Sequence, residues 1–183
     1  MGDLFDGYAL GAAWDEVFDR AGVPHPESAA LHAALQEMSS DDLAAKSTAL
    51  ARAFRDQGIT FSLGNEERPF PLDLVPRVVT AHEWETVERG VQQRVRCLEA
   101  FLADVYGPQE CIKDGLVPRH VIMSSSAYTR AAHGVNPPNG VRVHVSGVDL
   151  IRDEAGEFRV LEDNLRTPSG ISYVVENRRA MAR

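Results

Sequence analysis

Apolar residues recur at helical spacing through most of the first sixty positions. Ala12, Trp14, Val17, Phe18 and Ala21 fall on one face, which predicts a helix ended by Gly22 and Pro24. Pro26-Glu27 reads as the first turn of a second helix running through Leu31, Leu35 and Met38. Ser39 with Asp42 has the form of a capping box, and Leu43, Ser47, Leu50 and Phe54 continue at helical spacing until Gly58. Ile59–Leu63 then reads as a strand, 64–71 as a polar loop and Leu74–Val79 as another short strand. The clearest helix follows. Thr80 and Glu83 have capping-box form, and Trp84, Val87, Val91, Val95, Leu98, Phe101, Leu102 and Val105 repeat at three and four up to Gly107-Pro108. Val117–Met123 reads as a strand, and Ser124–Gly140 as a loop with one helical turn.

The last third changes period. Val141–Ile151 and Phe158–Asn164 read as two strands of a hairpin, joined by Asp153-Glu154-Ala155-Gly156. Arg166–Gly170 is a Pro/Gly loop, and Ser172–Met181 is a final helix. Helices first and strands later predict an α+β fold: N-terminal helices, then a mixed β-sheet with peripheral helices. The expected organisation is a helical region over residues 1–58 and an α/β region over 59–183, in one continuous domain. No internal repeat or low-complexity tract interrupts it.

Composition narrows the function classes. The 183 residues carry 19 Lys+Arg against 27 Asp+Glu, a net charge of -8. Such a chain repels phosphate backbones and anionic lipid, so neither nucleic acid nor a membrane surface is an expected partner. No apolar run reaches the ~18 residues of a spanning helix. Cys97 and Cys111 have neither disulfide-framework nor zinc-site spacing, which fits a cytoplasmic protein.

The hairpin carries the candidate chemistry. Side chains alternate along strands, so Asp149 and Gly147 share one face, as do Glu162 and Asn164. A four-residue loop pairs Ile151 with Phe158, Asp149 with Val160 and Gly147 with Glu162. Asp149 and Glu162 are then diagonal neighbours ~7–8 Å apart at the backbone, with Asn164 one step on. Two carboxylates and an amide oxygen are hard ligands suited to Mg²⁺, and Gly147 leaves space above them. A solvated strand face is the plainer alternative. Arg166 stands where a guanidinium would meet phosphate oxygens, or else pair with Asp163 or Glu176. Thr167-Pro168-Ser169-Gly170 leads into a helix whose first amides form an anion site, unless the turn is an ordinary connection.

The segment VHVSGVDLIRDEAGEFRVLEDNLRTPSGISYVVENRRAM resembles the signature of the circularly permuted ATP-grasp family, type 2, which is related to glutathionylspermidine synthetase. GYALGAAWDEVF, FRDQGITF, PLDLVPRVV and QQRVRCLEAFLADVYGPQECIKDGLVP resemble its N-terminal region. The resemblance implies a partial, circularly permuted ATP-grasp fold and ATP-dependent ligation of a small-molecule or peptide carboxylate to an amine through an acyl phosphate. It implies Asp149, Glu162 and Asn164 as Mg²⁺ ligands and Arg166 as the residue steadying phosphate. Ser169 and Gly170 would line the acceptor side and help bind the ATP cofactor. The glutathionylspermidine synthetase branch is expected to carry Arg two residues before the metal-binding Asp. Gly147 stands there instead, so that substrate is not carried over.

In the permuted family the ATP-gripping lysines follow the metal motif. The chain therefore reads as the N-terminal piece of a ligase, expected not to turn over ATP alone and to self-associate through uncovered apolar faces. An accessory or remnant module that keeps the motif is the alternative, and a Mg²⁺-dependent hydrolase a third reading. The six His, at 25, 32, 82, 120, 133 and 144, have no ligand spacing. His144 is expected on the strand face opposite Asp149. Cys97 reads as packing, Ser124-Ser125-Ser126 lacks a nucleophile elbow, and Trp14 and Trp84 read as core or interface anchors. Glu176, Asn177 and Arg178 read as supports for the metal loop or as an exposed helix face.

Overall fold

The Ser39 capping box is formed in the computed structural model, which describes residues 4–182, the side chain of Leu63 aside. Ser39 Oγ accepts the Asp42 N–H at 3.1 Å, and the Asp42 carboxylate accepts the Ser39 N–H at 3.0 Å. Two orphan amides are satisfied where the helix must start. The chain divides into two units, one of residues up to 81 with 151–159 and 169 onward, the other of residues 82–150 and 160–168.

The first unit opens with a two-stranded antiparallel ribbon, β1 (Phe18–Arg20) with β2 (Val23–Pro24). The helix expected over residues 12–21 is absent. The Asp15 carboxylate accepts the amides of Val17 and Phe18 at 2.9 and 2.8 Å, and that local turn displaces helical bonding. Helices α1 (Ala29–Gln36) and α2 (Ser40–Asp56) follow as the spacing predicts. A hairpin comes next, β3 (Thr60–Leu63) with β4 (Glu66–Pro69), in register from Thr60 opposite Pro69 to Leu63 opposite Glu66. The polar loop expected over 64–71 is thus half strand. The strand expected over Leu74–Val79 is absent, and Asp73 takes the Val75 amide at 2.9 Å instead.

The core of this unit is small. Phe18, Leu35, Phe54 and Ile59 are buried, Phe54 to 1% exposure. Trp14 stacks on His25 with centroids 4.7 Å apart. It also lies against Gly156, where a Cβ would come within 2.6 Å of the indole. Arg152, its side chain 7% exposed, lies 4.1 Å over Phe158 and 5.8 Å over Trp14, with the Glu16 carboxylate at 3.3 Å. The Tyr173 hydroxyl donates to Thr60 O at 2.6 Å, and its ring stacks on Phe70. Tyr173 lies on α6 (Ile171–Met181), the expected last helix.

The second unit is built on α3 (Ala81–Val105), the long helix legible in the sequence. Its apolar stripe is mostly half-buried, Trp84 is exposed, and Val105 is buried. Cys97, expected to pack, is exposed because its border position turns to the solvent side. Asp104 accepts the amides of Glu110 and Cys111, which starts α4 (Glu110–Lys113). The strand expected over Val117–Met123 is instead a short helix, α5 (Arg119–Met123), entered through Pro118 at φ -60°. Two 3₁₀ turns, Arg130–Ala132 and Pro138–Gly140, interrupt the long loop that follows.

Strands β5 (Gly147–Arg152) and β6 (Phe158–Asn164) form the third two-stranded sheet. Asp153 N–H donates to Glu157 O at 3.0 Å across the turn, and Gly156 takes φ +82°. The fold is α+β, but its sheets are separate antiparallel pairs in place of a mixed sheet. Strand β5 begins six residues later than expected, because Glu99 on α3 accepts the amides of Arg142 and Val143 at 2.8 Å each. Among the described residues, no helix is long and apolar enough to cross a membrane.

The chain exposes 13281 Å². A single folded body of this mass exposes ~8,700 Å², and two bodies of half the mass ~10,500 Å² together. The excess therefore does not depend on how the two units are placed. Each leaves apolar surface uncovered, such as Val160 and Leu161 on β6 and Val174 on α6.

Candidate metal and anion site

Asp149 on β5 and Glu162 on β6 bring their carboxyls into hydrogen-bond contact. The shared bond comes first, then desolvation, then charge repulsion, and together they push the Asp149 carboxyl above the usual carboxylate range. Asn164 Nδ2 donates to Glu162 Oε1 at 2.9 Å, so the amide oxygen lies outside that bond. The three expected ligands are thus adjacent.

Asp163, between Glu162 and Asn164, points the other way and explains the adjacency. Its carboxylate receives Arg94 Nε at 2.7 and 2.8 Å and lies 2.7 Å from the second guanidinium nitrogen. The bidentate pair holds the Asp163 carboxyl below its ordinary range and ties β6 to α3. Alternation then fixes Glu162 and Asn164 on the opposite face. Arg94 and Asp163 are 69 residues apart, and no local pattern links them.

Gly147 departs from the expected geometry. No open space lies above it. A Cβ there would meet Pro168 Cβ at 2.9 Å and Asn164 Cβ at 3.7 Å. The chain leaving β6 folds back and fills the position, which excludes an arginine in this packing.

Arg166 is exposed and, among the described residues, makes no hydrogen bond or ion pair. Its two suggested partners are engaged, Asp163 by Arg94 and Glu176 by Arg179 at 2.5 Å. Ser169 and Gly170 belong to the other unit. Ser169 is exposed, and Gly170, at φ +100°, is the N-cap of α6 without a side-chain cap. Asn177 Oδ1 is buried without a partner, also in that unit. Ser125 Oγ accepts the Ala127 amide, a local turn and no nucleophile elbow.

A cavity of about 560 Å³, without a counterpart in any sequence pattern, lies under the loop 124–146. Leu102 and Tyr106 form its helix side, Val135, Pro137 and Val143 its loop side, and Leu165 with Arg166 its strand side. His144, expected on a strand face, is among its lining residues. Tyr106 organises the wall: it stacks on Tyr128 at 5.2 Å, its hydroxyl accepts the Thr129 N–H, and its carbonyl accepts the Gly134 N–H.

Among the described residues, no three His, Cys, Asp or Glu side chains converge as a metal-binding group. The available set is two carboxylates and one amide. It still fits a hard divalent cation, since two carboxyls held together repel when both ionise and a cation between them removes that cost.

Residues 76–183 match the family model described as a circularly permuted ATPgrasp. An uncharacterized protein of Mycobacterium tuberculosis (strain H37Rv) is 56% identical over 178 residues, covering 97% of this chain and 32% of its own length. An uncharacterized protein of Synechocystis is 43% identical, covering 95% and 37%. A Frankia alni protein named "Putative glutamate--cysteine ligase 2-3" is 42% identical over 172 residues, covering 92% and 20%. The chain spans about a third of the length of the first curated relatives it matches.

Proposed function

Since the chain belongs to the circularly permuted ATP-grasp family, we propose that it contributes the metal-binding hairpin of an ATP-dependent carboxylate–amine ligase. The observation that carries this is the meeting of Asp149 with Glu162, with Asn164 hydrogen-bonded to the latter. Those three oxygens would hold Mg²⁺, which supplies charge neutralisation on ATP phosphates. Arg166, two residues after Asn164, exposed and unpaired among the described residues, would offer a positive charge to the phosphates. The γ-phosphate passes to the substrate carboxylate to give an acyl phosphate and ADP. An amine then displaces phosphate and forms the amide, losing a proton. The ligase named among the relatives supports amide formation as the reaction class.

The hairpin works together with further polypeptide. The first curated relatives are about three times as long, and the exposed 13281 Å² supports a covering partner. Of the two lysines, Lys46 and Lys113, the latter pairs with Glu110 at 2.9 Å. Ser169 and Gly170 remain assigned to the acceptor side on the motif alone.

Hydroxamate trapping tests the reading. The native gene product receives Mg-ATP, mixed carboxylic acids and hydroxylamine. ADP and hydroxamate forming in equal amounts, and only with acid present, is the expected result. No ADP, or ADP release indifferent to acid, overturns it.

A further inference from the structure

The loop 124–146 is unusually long for a connection that holds only two 3₁₀ turns, and such loops in compact folds are commonly functional. It is also internally fastened. Tyr106 holds Thr129 and Gly134, and Glu99 holds the backbone of Arg142 and Val143. Its fastening preserves a hollow of about 560 Å³, within the ~300–1,000 Å³ of small-molecule sites.

The lining chooses between the two substrates of a ligase. Eight of its thirteen residues are apolar, and none is Asp or Glu. A cationic amine would find no counter-charge. Arg142 is engaged by Glu99 at 3.6 Å, which leaves Arg166 as the lining cation without a partner among the described residues. Arg166 lines the cavity and stands two residues beyond Asn164 in the chain.

We propose that this cavity binds the acid substrate, a carboxylic acid with a branched or aromatic apolar body, with its carboxylate on Arg166. The site identity rests on the ligase reading, but binding does not require turnover. The apolar body packs between Leu102, Val135 and Leu165, and Arg166 turns the carboxylate out of the hollow.

The test is equilibrium binding to the purified protein without nucleotide or metal, followed by NMR. Phenylacetate is the probe, with phenylacetamide and acetate as controls that lack the charge and the apolar body. Phenylacetate should bind about 10-fold tighter than either control, the weight of one charged hydrogen-bonded contact. Arg166→Gln should bring phenylacetate down to the level of the amide and leave the amide unchanged. Val135→Trp, at a site 56% exposed, should fill the cavity and abolish binding of both. Equal binding of acid and amide overturns the proposal, as does indifference to Val135→Trp or no binding at millimolar probe. Failed hydroxamate formation with intact phenylacetate binding would count against the ligase reading alone.

Discussion

Asp163 and Arg94 join strand β6 to helix α3 through a bidentate ion pair, with the Asp163 side chain only 15% exposed. Because Asp163 faces the helix, its neighbours Glu162 and Asn164 face the other way together. The pair is a positioning device. Asp163→Asn keeps every proposed metal ligand, yet should weaken Mg²⁺ binding about 10-fold. It should also cost about 1 kcal/mol of stability. Calorimetric titration with Mg²⁺ and a urea melt read the two effects separately.

The same pair sets a pH dependence. Arg94 depresses the Asp163 carboxyl in the folded state. Its stabilisation is complete above the unfolded carboxylate value, ~3.9. It is lost as pH falls through the depressed folded value. Urea midpoints measured at falling pH should therefore show a larger acid loss in the parent than in Asp163→Asn.

Gly147→Ala probes the closure by Pro168. The added methyl would lie 2.9 Å from Pro168 Cβ, with Asn164 Cβ behind it at 3.7 Å. The segment after β6 must shift, at a cost of about 1–3 kcal/mol. Thermal unfolding checks the stability, and Mg²⁺ affinity should fall with it because Asn164 moves.

Gly156→Ala tests the first unit. A side chain at φ +82° is strained, and its Cβ would penetrate the Trp14 ring at 2.6 Å. A loss of about 3 kcal/mol is expected from the two effects together. Trp14 fluorescence should report the displaced indole, with the Arg152 sandwich loosened beside it.

What the sequence made legible was local. The three-and-four spacing of Val87, Val91, Val95 and Leu98 marks α3, and Ser39 with Asp42 marks the start of α2. Alternation placed Glu162 with Asn164 and brought Asp149 near them. The errors arose where side chains captured backbone amides. Asp15 and Asp73 made turns from segments patterned as helix and strand, and Glu99 drew Arg142 and Val143 away from β5 across 43 and 44 residues. Strand β4, Glu-Glu-Arg-Pro, has no apolar alternation to announce it. The cavity was invisible because its lining runs from Leu102 to Arg166, and no window of sequence holds both walls.

The claim that Asp149, Glu162 and Asn164 form a metal site is tested most directly with Mn²⁺, a paramagnetic stand-in for Mg²⁺, followed by electron paramagnetic resonance on the purified protein. One saturable Mn²⁺ site is expected, displaced by Mg²⁺ and weakened about 100-fold or more in Glu162→Gln, a ligand loss at least equal to the larger losses seen for outer-shell changes. No saturable binding, or a site that Glu162→Gln leaves unchanged, would contradict it.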